Sequence, residues 1–184
     1  MAEIITIPNP ILKEKSTPVT IDKNTADLVA KLKETLAIRE GIKGVGLSAV
    51  QIGLPKRVFL AYSSGSKKFL TFINPEIIWY SKYITEGIAQ SKNKYEGCLS
   101  VPRIWAIIKR SKSIKIRYQT LSGLQIVRKF TGLPAIIIQH EYDHLNGILF
   151  IQRALEQGSK IYELQKDNQG KEFLQEVSFE KNTP

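Results

Sequence analysis

The sequence predicts an α+β fold, with antiparallel strands set around a central helix that is itself a candidate metal-binding element. Three observations lead there. β-branched and alternating runs fill the middle of the chain, one isolated helical stretch follows them, and that stretch carries the pattern H-E-x-x-H. With 184 residues, no internal repeat and no low-complexity linker, the chain reads as one domain over residues 1–184.

The elements follow in order. Ile7-Pro8-Asn9-Pro10 through Thr17-Pro18-Val19 contains three prolines and is expected to be extended. Asn24 or Thr25 could cap a helix from about Ala26 to Arg39, where Leu28, Val29, Leu32 and Leu36 recur at helical spacing and Gly41 would end it. A glycine-rich loop, Gly41 to Gly46, comes next. Arg57–Tyr62, Phe69–Ile73, Ile77–Tyr80, Ile114–Gln119 and Gln125–Phe130 read as strands, the last two joined by a turn at Leu121-Ser122-Gly123. A second helix starts near Pro134, a favoured first-turn residue, and stops at Gly147. A third is expected from Leu155 to about Lys166, with residues 168–184 as a flexible tail.

Bulk properties exclude some classes. No apolar run approaches the length that crosses a bilayer, so no membrane partner is expected. Met1-Ala2-Glu3-Ile4 lacks a basic leader followed by an apolar core, so no signal peptide is expected. A single cysteine forms no internal disulfide and suits a reducing compartment, making the cytoplasm the expected location; an organelle would require a transit peptide removed beforehand. The net charge is +10, and the stretch from Gly97 to His140 holds eight basic residues and no acid. Such a face could attract ribosomal RNA, or simply keep the protein soluble.

The chemistry concentrates in Gln139-His140-Glu141-Tyr142-Asp143-His144. Residues four apart on a helix lie about 40° apart around its axis, so both imidazoles leave one face and can reach one metal ion. Glu141, beside them, could take a proton from water at such a metal. Catalytic sites of this kind usually draw on three protein ligands. The chain has no further histidine, which leaves Cys98 or a carboxylate further along, with Cys98 favoured. A lone cysteine is more often a small buried apolar residue, but the missing ligand outweighs that reading here.

Three segments together resemble a known family. Gly44-Val45-Gly46-Leu47-Ser48-Ala49-Val50-Gln51-Ile52-Gly53, Glu96-Gly97-Cys98-Leu99-Ser100 and Gln139 to Leu145 are similar, in order, to the signature motifs of peptide deformylases. Ser48 and Val50 stand where that family usually has alanine and proline, which touches loop detail and not the chemistry.

The resemblance implies a hydrolase that removes the formyl group from the N-terminal formyl-methionine of new polypeptides. Cys98, His140 and His144 would hold a divalent metal, Fe²⁺ first and Zn²⁺ second, with Ni²⁺ or Co²⁺ also compatible with thiolate and imidazole. Glu141 would move the proton, while Gln51 and the backbone N–H of Leu99 would stabilise the oxyanion. Gly46 would hydrogen-bond an extended substrate, with Gly97 also on the substrate side. Val45, Leu133, Ile136 and Ile137 would line the methionine pocket. Glu96 and Asp143 are candidates for orienting the ligands, with Arg110 pairing with one of them.

Two other readings compete. An H-E-x-x-H metallopeptidase would take its third ligand downstream, from Glu156 or Glu163. A non-enzymatic RNA-binding module would explain the charge, but no recognised motif accompanies the basic residues.

Overall fold

The computed structural model describes residues 2–37, 45–63, 68–88 and 94–179. Its elements are helices α1 (Lys23–Ala37), α2 (Leu133–Leu145) and α3 (Phe150–Glu156). The strands are β1 (Gly46–Ser48), β2 (Val58–Ser63), β3 (Lys68–Tyr80), β4 (Ile84–Glu86), β5 (Glu96–Cys98), β6 (Val101–Ala106), β7 (Lys109–Ser111), β8 (Ser113–Gln119), β9 (Gln125–Thr131), β10 (Ile161–Lys166) and β11 (Glu172–Val177). They form three sheets, ordered β1-β2-β3-β8-β9, β11-β10-β6-β5 and β4-β7, with antiparallel pairing between these strands.

α1 begins three residues before the expected Ala26, and its cap is not Asn24 or Thr25. The Asp22 carboxylate accepts from the Thr25 backbone N–H at 2.9 Å, meeting one of the donors that a helix start leaves open. Leu28, Val29, Leu32 and Leu36 face a core shared with Leu47, Val58 and Leu60. The expected helix end and most of the glycine-rich loop, residues 38–44, lie outside the described residues. The two strands expected at 69–73 and 77–80 are one strand, β3, whose register against β8 shifts between Ile73 and Glu76. Pro75 has no N–H to give the ladder, and the irregularity absorbs it.

α2 packs against β1, β2 and β9, so a helix bearing the H-E-x-x-H pattern lies across the large sheet. Ile137, Ile138 and Leu145 join Phe59, Phe72, Ile114 and Ile116 in that core. The hydroxyl-free, branched face of the helix explains this placement, since burying each such side chain contributes about 1.5–3 kcal/mol.

The C-terminal expectations fail. α3 ends at Glu156 because Gly158 takes φ 63°, a left-handed conformation that stops a helix. Residues 161–166 are strand and not helix, and β11 occupies the middle of the expected tail, pairing with β10 over six residue pairs. Asp167 makes the turn between them: its Oδ1 accepts from the backbone of Gln169 and Lys171, both at 2.9 Å. Val177 and Phe179 then pack on a third core around Leu12, Ile108 and Phe150. Among the described residues no helix is long and apolar enough to cross a membrane.

Candidate metal centre

α2 and β5 meet at the site. From β5, Cys98 places Sγ 3.2 Å from His144 Nε2. The ligand atoms of Cys98, His140 and His144 all lie within 4.8 Å of one another, the one such group among the described residues. The fit to a divalent metal rests on donor chemistry. His140 Nδ1 lies 2.6 Å from Glu96 Oε1, so that nitrogen carries a proton toward the carboxylate and leaves Nε2 as the ring atom available to a metal. His144 is 1% exposed, and burial with the charge on His140 holds its pKa well below the usual range, so it is neutral. Burial acts to lower the His140 pKa, but the hydrogen bonds it makes to Cys98 and Glu96 raise it, and a metal at the site would take the place of that proton. One thiol and two imidazoles suit iron(II), zinc, nickel or cobalt.

A buried ion network holds this arrangement. Arg110, on β7, grips Glu96 with Nε at 2.8 Å and Nη2 at 2.6 Å, and reaches Asp143 of α2 with Nη1 at 2.9 Å. Arg110 therefore pairs with both acids. Burial would raise the Glu96 carboxyl, but the Arg110 guanidinium holds it well below the usual carboxylate range. Arg153, on α3, extends the chain by gripping Asp143 at 2.8 Å. Two further buried contacts fix α2: the Gln139 amide accepts from Ser111 N and donates to Ser111 O.

Glu141 is 4% exposed, and burial pushes its carboxyl up to about 7, although His140 and Ser48 act in the opposite direction. A carboxyl poised near neutrality suits proton transfer in both directions. Its Oε2 lies 3.1 Å from Ser48 Oγ. The same hydroxyl lies 2.9 Å from Gln51 Oε1, which also accepts from Ser48 N at 2.9 Å. That fixes the Gln51 amide with Nε2 toward the centre, 3.1 Å from Ser100 Oγ and 3.6 Å from Cys98 Sγ. Ser48 thus touches both the acid and the amide, a contact that sequence reasoning left out. Its departure from the usual alanine was the signal available.

A cleft of about 400 Å³ opens on the centre. It is lined by Val45, Gly46, Gln51, Gly97, Cys98, Leu99, Leu133, Ile136, Ile137, His140 and Glu141, every expected site residue but His144, which is buried against Cys98. Ile137 also belongs to the core under the large sheet, so it serves both surfaces. Two glycines are required by close approach. A Cβ on Gly46 would meet Glu141 Oε1 at 2.3 Å, and one on Gly97 would meet the Trp105 ring at 2.7 Å. The downstream acids of the peptidase reading lie elsewhere: Glu156 pairs with Arg153, and Glu163 accepts from Gln165.

The comparisons with known proteins agree with this geometry. A family model described as polypeptide deformylase matches residues 1–160. A peptide deformylase of Bartonella tribocorum is 40% identical over 158 residues, covering 82% of this chain and 83% of that protein. One from Phenylobacterium zucineum is 40% identical over 152 residues, covering 81% and 85%. The crystal structure of the Thermotoga maritima peptide deformylase matches with TM-score 0.74 at 35% identity, over 83% of this chain and 97% of that one. A Met-Ala-Ser-bound class I type b peptide deformylase from Acinetobacter baumannii matches with TM-score 0.73 at 32% identity, over 83% and 97%.

Proposed function

The chain belongs to the peptide deformylase family, and on that premise we propose how its residues remove the formyl group from the N-terminal formyl-methionine of new polypeptides. The observation that carries the reading is the meeting of Cys98, His140 and His144 beside Glu141 on one cleft.

Cys98, His140 and His144 would hold the metal, Fe²⁺ first and Zn²⁺ second. Bound there, it would supply Lewis acidity to the formyl group and to water. The remaining work falls to the chain. Water attacks the formyl carbon as Glu141 takes its proton at Oε1, the oxygen that Ser48 does not engage. The carbonyl electrons collect on oxygen, where Gln51 Nε2 and the Leu99 N–H donate hydrogen bonds; each such donor is worth about 3–4 kcal/mol. Glu141 then delivers its proton to the amine nitrogen as the C–N bond breaks. Formate leaves, and the peptide keeps a free amino group.

Gly46 lets an extended substrate backbone lie close to Glu141, and Gly97 faces the same cleft. The methionine side chain takes the apolar lining of Val45, Leu133, Ile136 and Ile137. Because main-chain contacts read little sequence, one enzyme serves many nascent chains. The cytoplasm is the setting that supplies such substrates. The exposed Lys112, Lys115, Arg128 and Lys129 have the sign that ribosomal RNA attracts.

The test is formate release from a formyl-methionyl peptide by the metal-loaded protein, with the acetyl-methionyl peptide as control. Formate from the first alone is expected. No formate, or cleavage of an internal peptide bond, would overturn the reading.

A further inference from the structure

The family match ends at residue 160, yet the cleft does not. β10 begins at Ile161 and pairs with β6, setting Tyr162 opposite Trp105 and Glu163 opposite Ile104. Leu164 of β10 lines the same cleft as Cys98, His140 and Glu141, together with Ile88, Ile104 and Trp105. Several contacts fix it there. The Arg103 guanidinium donates to the Leu164 carbonyl oxygen and lies 3.8 Å from Glu163. The ring of Tyr162 meets that of Tyr95, another lining residue, at 5.3 Å and near right angles. β11 backs β10 along its whole length, so Leu164 stands on a paired strand and not on a loose end.

We propose that Leu164, with Ile88, Ile104 and Trp105, forms a subsite for an apolar side chain of the nascent peptide beyond its formyl-methionine, supplied by the C-terminal hairpin. This rests on the deformylase reading above. The occupant follows from continuity: a polypeptide held by its first residue beside Glu141 must leave along the cleft that Leu164 walls. Its chemistry follows from the lining, which is aliphatic and aromatic, and from Arg103, whose charge Glu163 already faces.

The experiment uses the full chain and formyl-methionyl tetrapeptides that differ only in leucine or serine at the second, third or fourth position. At one of these positions the wild type should favour leucine in kcat/KM by roughly fivefold, the scale of a few partly buried carbons. In Leu164→Ala that preference should fall below roughly twofold, and Leu164→Met should restore it, as expected when one contact is lost and regained. A second measurement leaves position 164 intact. With Trp79→Phe, Trp105 is the remaining tryptophan, and deformylated peptides bearing the favoured leucine should change its fluorescence at lower concentration than their serine counterparts. Formate release with no leucine preference in the wild type, or a preference that survives Leu164→Ala, overturns the subsite alone. Absence of formate from every peptide overturns the deformylase reading and the subsite with it.

Discussion

Gly46→Ala is the sharpest perturbation that the site offers. The new methyl carbon would stand 2.3 Å from Glu141 Oε1, 2.8 Å from its Cδ and 2.9 Å from its Cγ. To regain the 3.4 Å at which ordinary contact begins, the oxygen must retreat by about 1 Å. Glu141 is a terminal carboxylate on a flexible stem, so the side chain gives way more readily than the backbone of β1. The stability cost should therefore sit at the low end of overpacking, about 1 kcal/mol. The catalytic cost should be larger, because misplacing a reacting group by about 1 Å lowers rate by roughly 10²-fold. The retreat also strains the contact with Ser48 Oγ, which fixes the other oxygen. Steady-state kinetics on a formyl-methionyl peptide should show kcat falling roughly 10²-fold, with a small change in thermal midpoint and full metal content. A variant that keeps kcat within about twofold of the parent would refute the close approach of Gly46 to Glu141 as a requirement for turnover.

Four further outcomes are expected. Glu141→Gln should keep its metal, measured by atomic emission, while kcat falls roughly 10²–10⁴-fold, because an amide accepts no proton. Ser48→Ala should lower kcat by roughly fivefold at unchanged KM, the scale of one hydrogen bond worth about 1 kcal/mol; an unchanged kcat would make the hydroxyl incidental. Cys98→Ala should lose most of its metal on purification, and a variant that retained a full equivalent would return the third ligand to a carboxylate. Arg110→Met should cost about 3 kcal/mol in urea unfolding, since buried Glu96 is left with His140 alone and Asp143 with Arg153 alone; a loss under about 1 kcal/mol would mean that these remaining partners or water compensate both acids.

Much of the site was legible because its geometry is local. His140, Glu141 and His144 lie within one stretch of α2, where helical spacing alone brings the imidazoles to one face. The missing third ligand then pointed to Cys98, since composition left few candidates. Arg110 was harder: its partners are 14 and 33 residues away, and nothing local says that one guanidinium reaches both. Ser48 was missed for the same reason, since Glu141 is 93 residues distant. The expected helix from Leu155 to Lys166 fails where Gly158 stops α3, and the residues after it pair as a hairpin. The turn Asp167-Asn168-Gln169-Gly170, with Tyr162 and Leu164 alternating before it, was the local signal of a hairpin. The edge that β6 offers to β10 is not written in either strand, because long-range pairing decides it.

Two different periodicities meet at the centre. Alternate residues of a strand point the same way and are about 6.7 Å apart. Residues four apart on a helix share a face and are separated by about 6 Å along the axis. Glu96 and Cys98 are such a strand pair and His140 and His144 such a helix pair, and the contacts run in parallel: Glu96 to His140, Cys98 to His144. Gly97, between them, faces the other way, against Trp105. E-G-C and H-E-x-x-H therefore behave as two halves of one ruler, and neither can change length alone. One residue inserted beside Gly97 would turn Cys98 toward Trp105 while Glu96 still held His140, separating the thiol from the imidazoles without disturbing the helix.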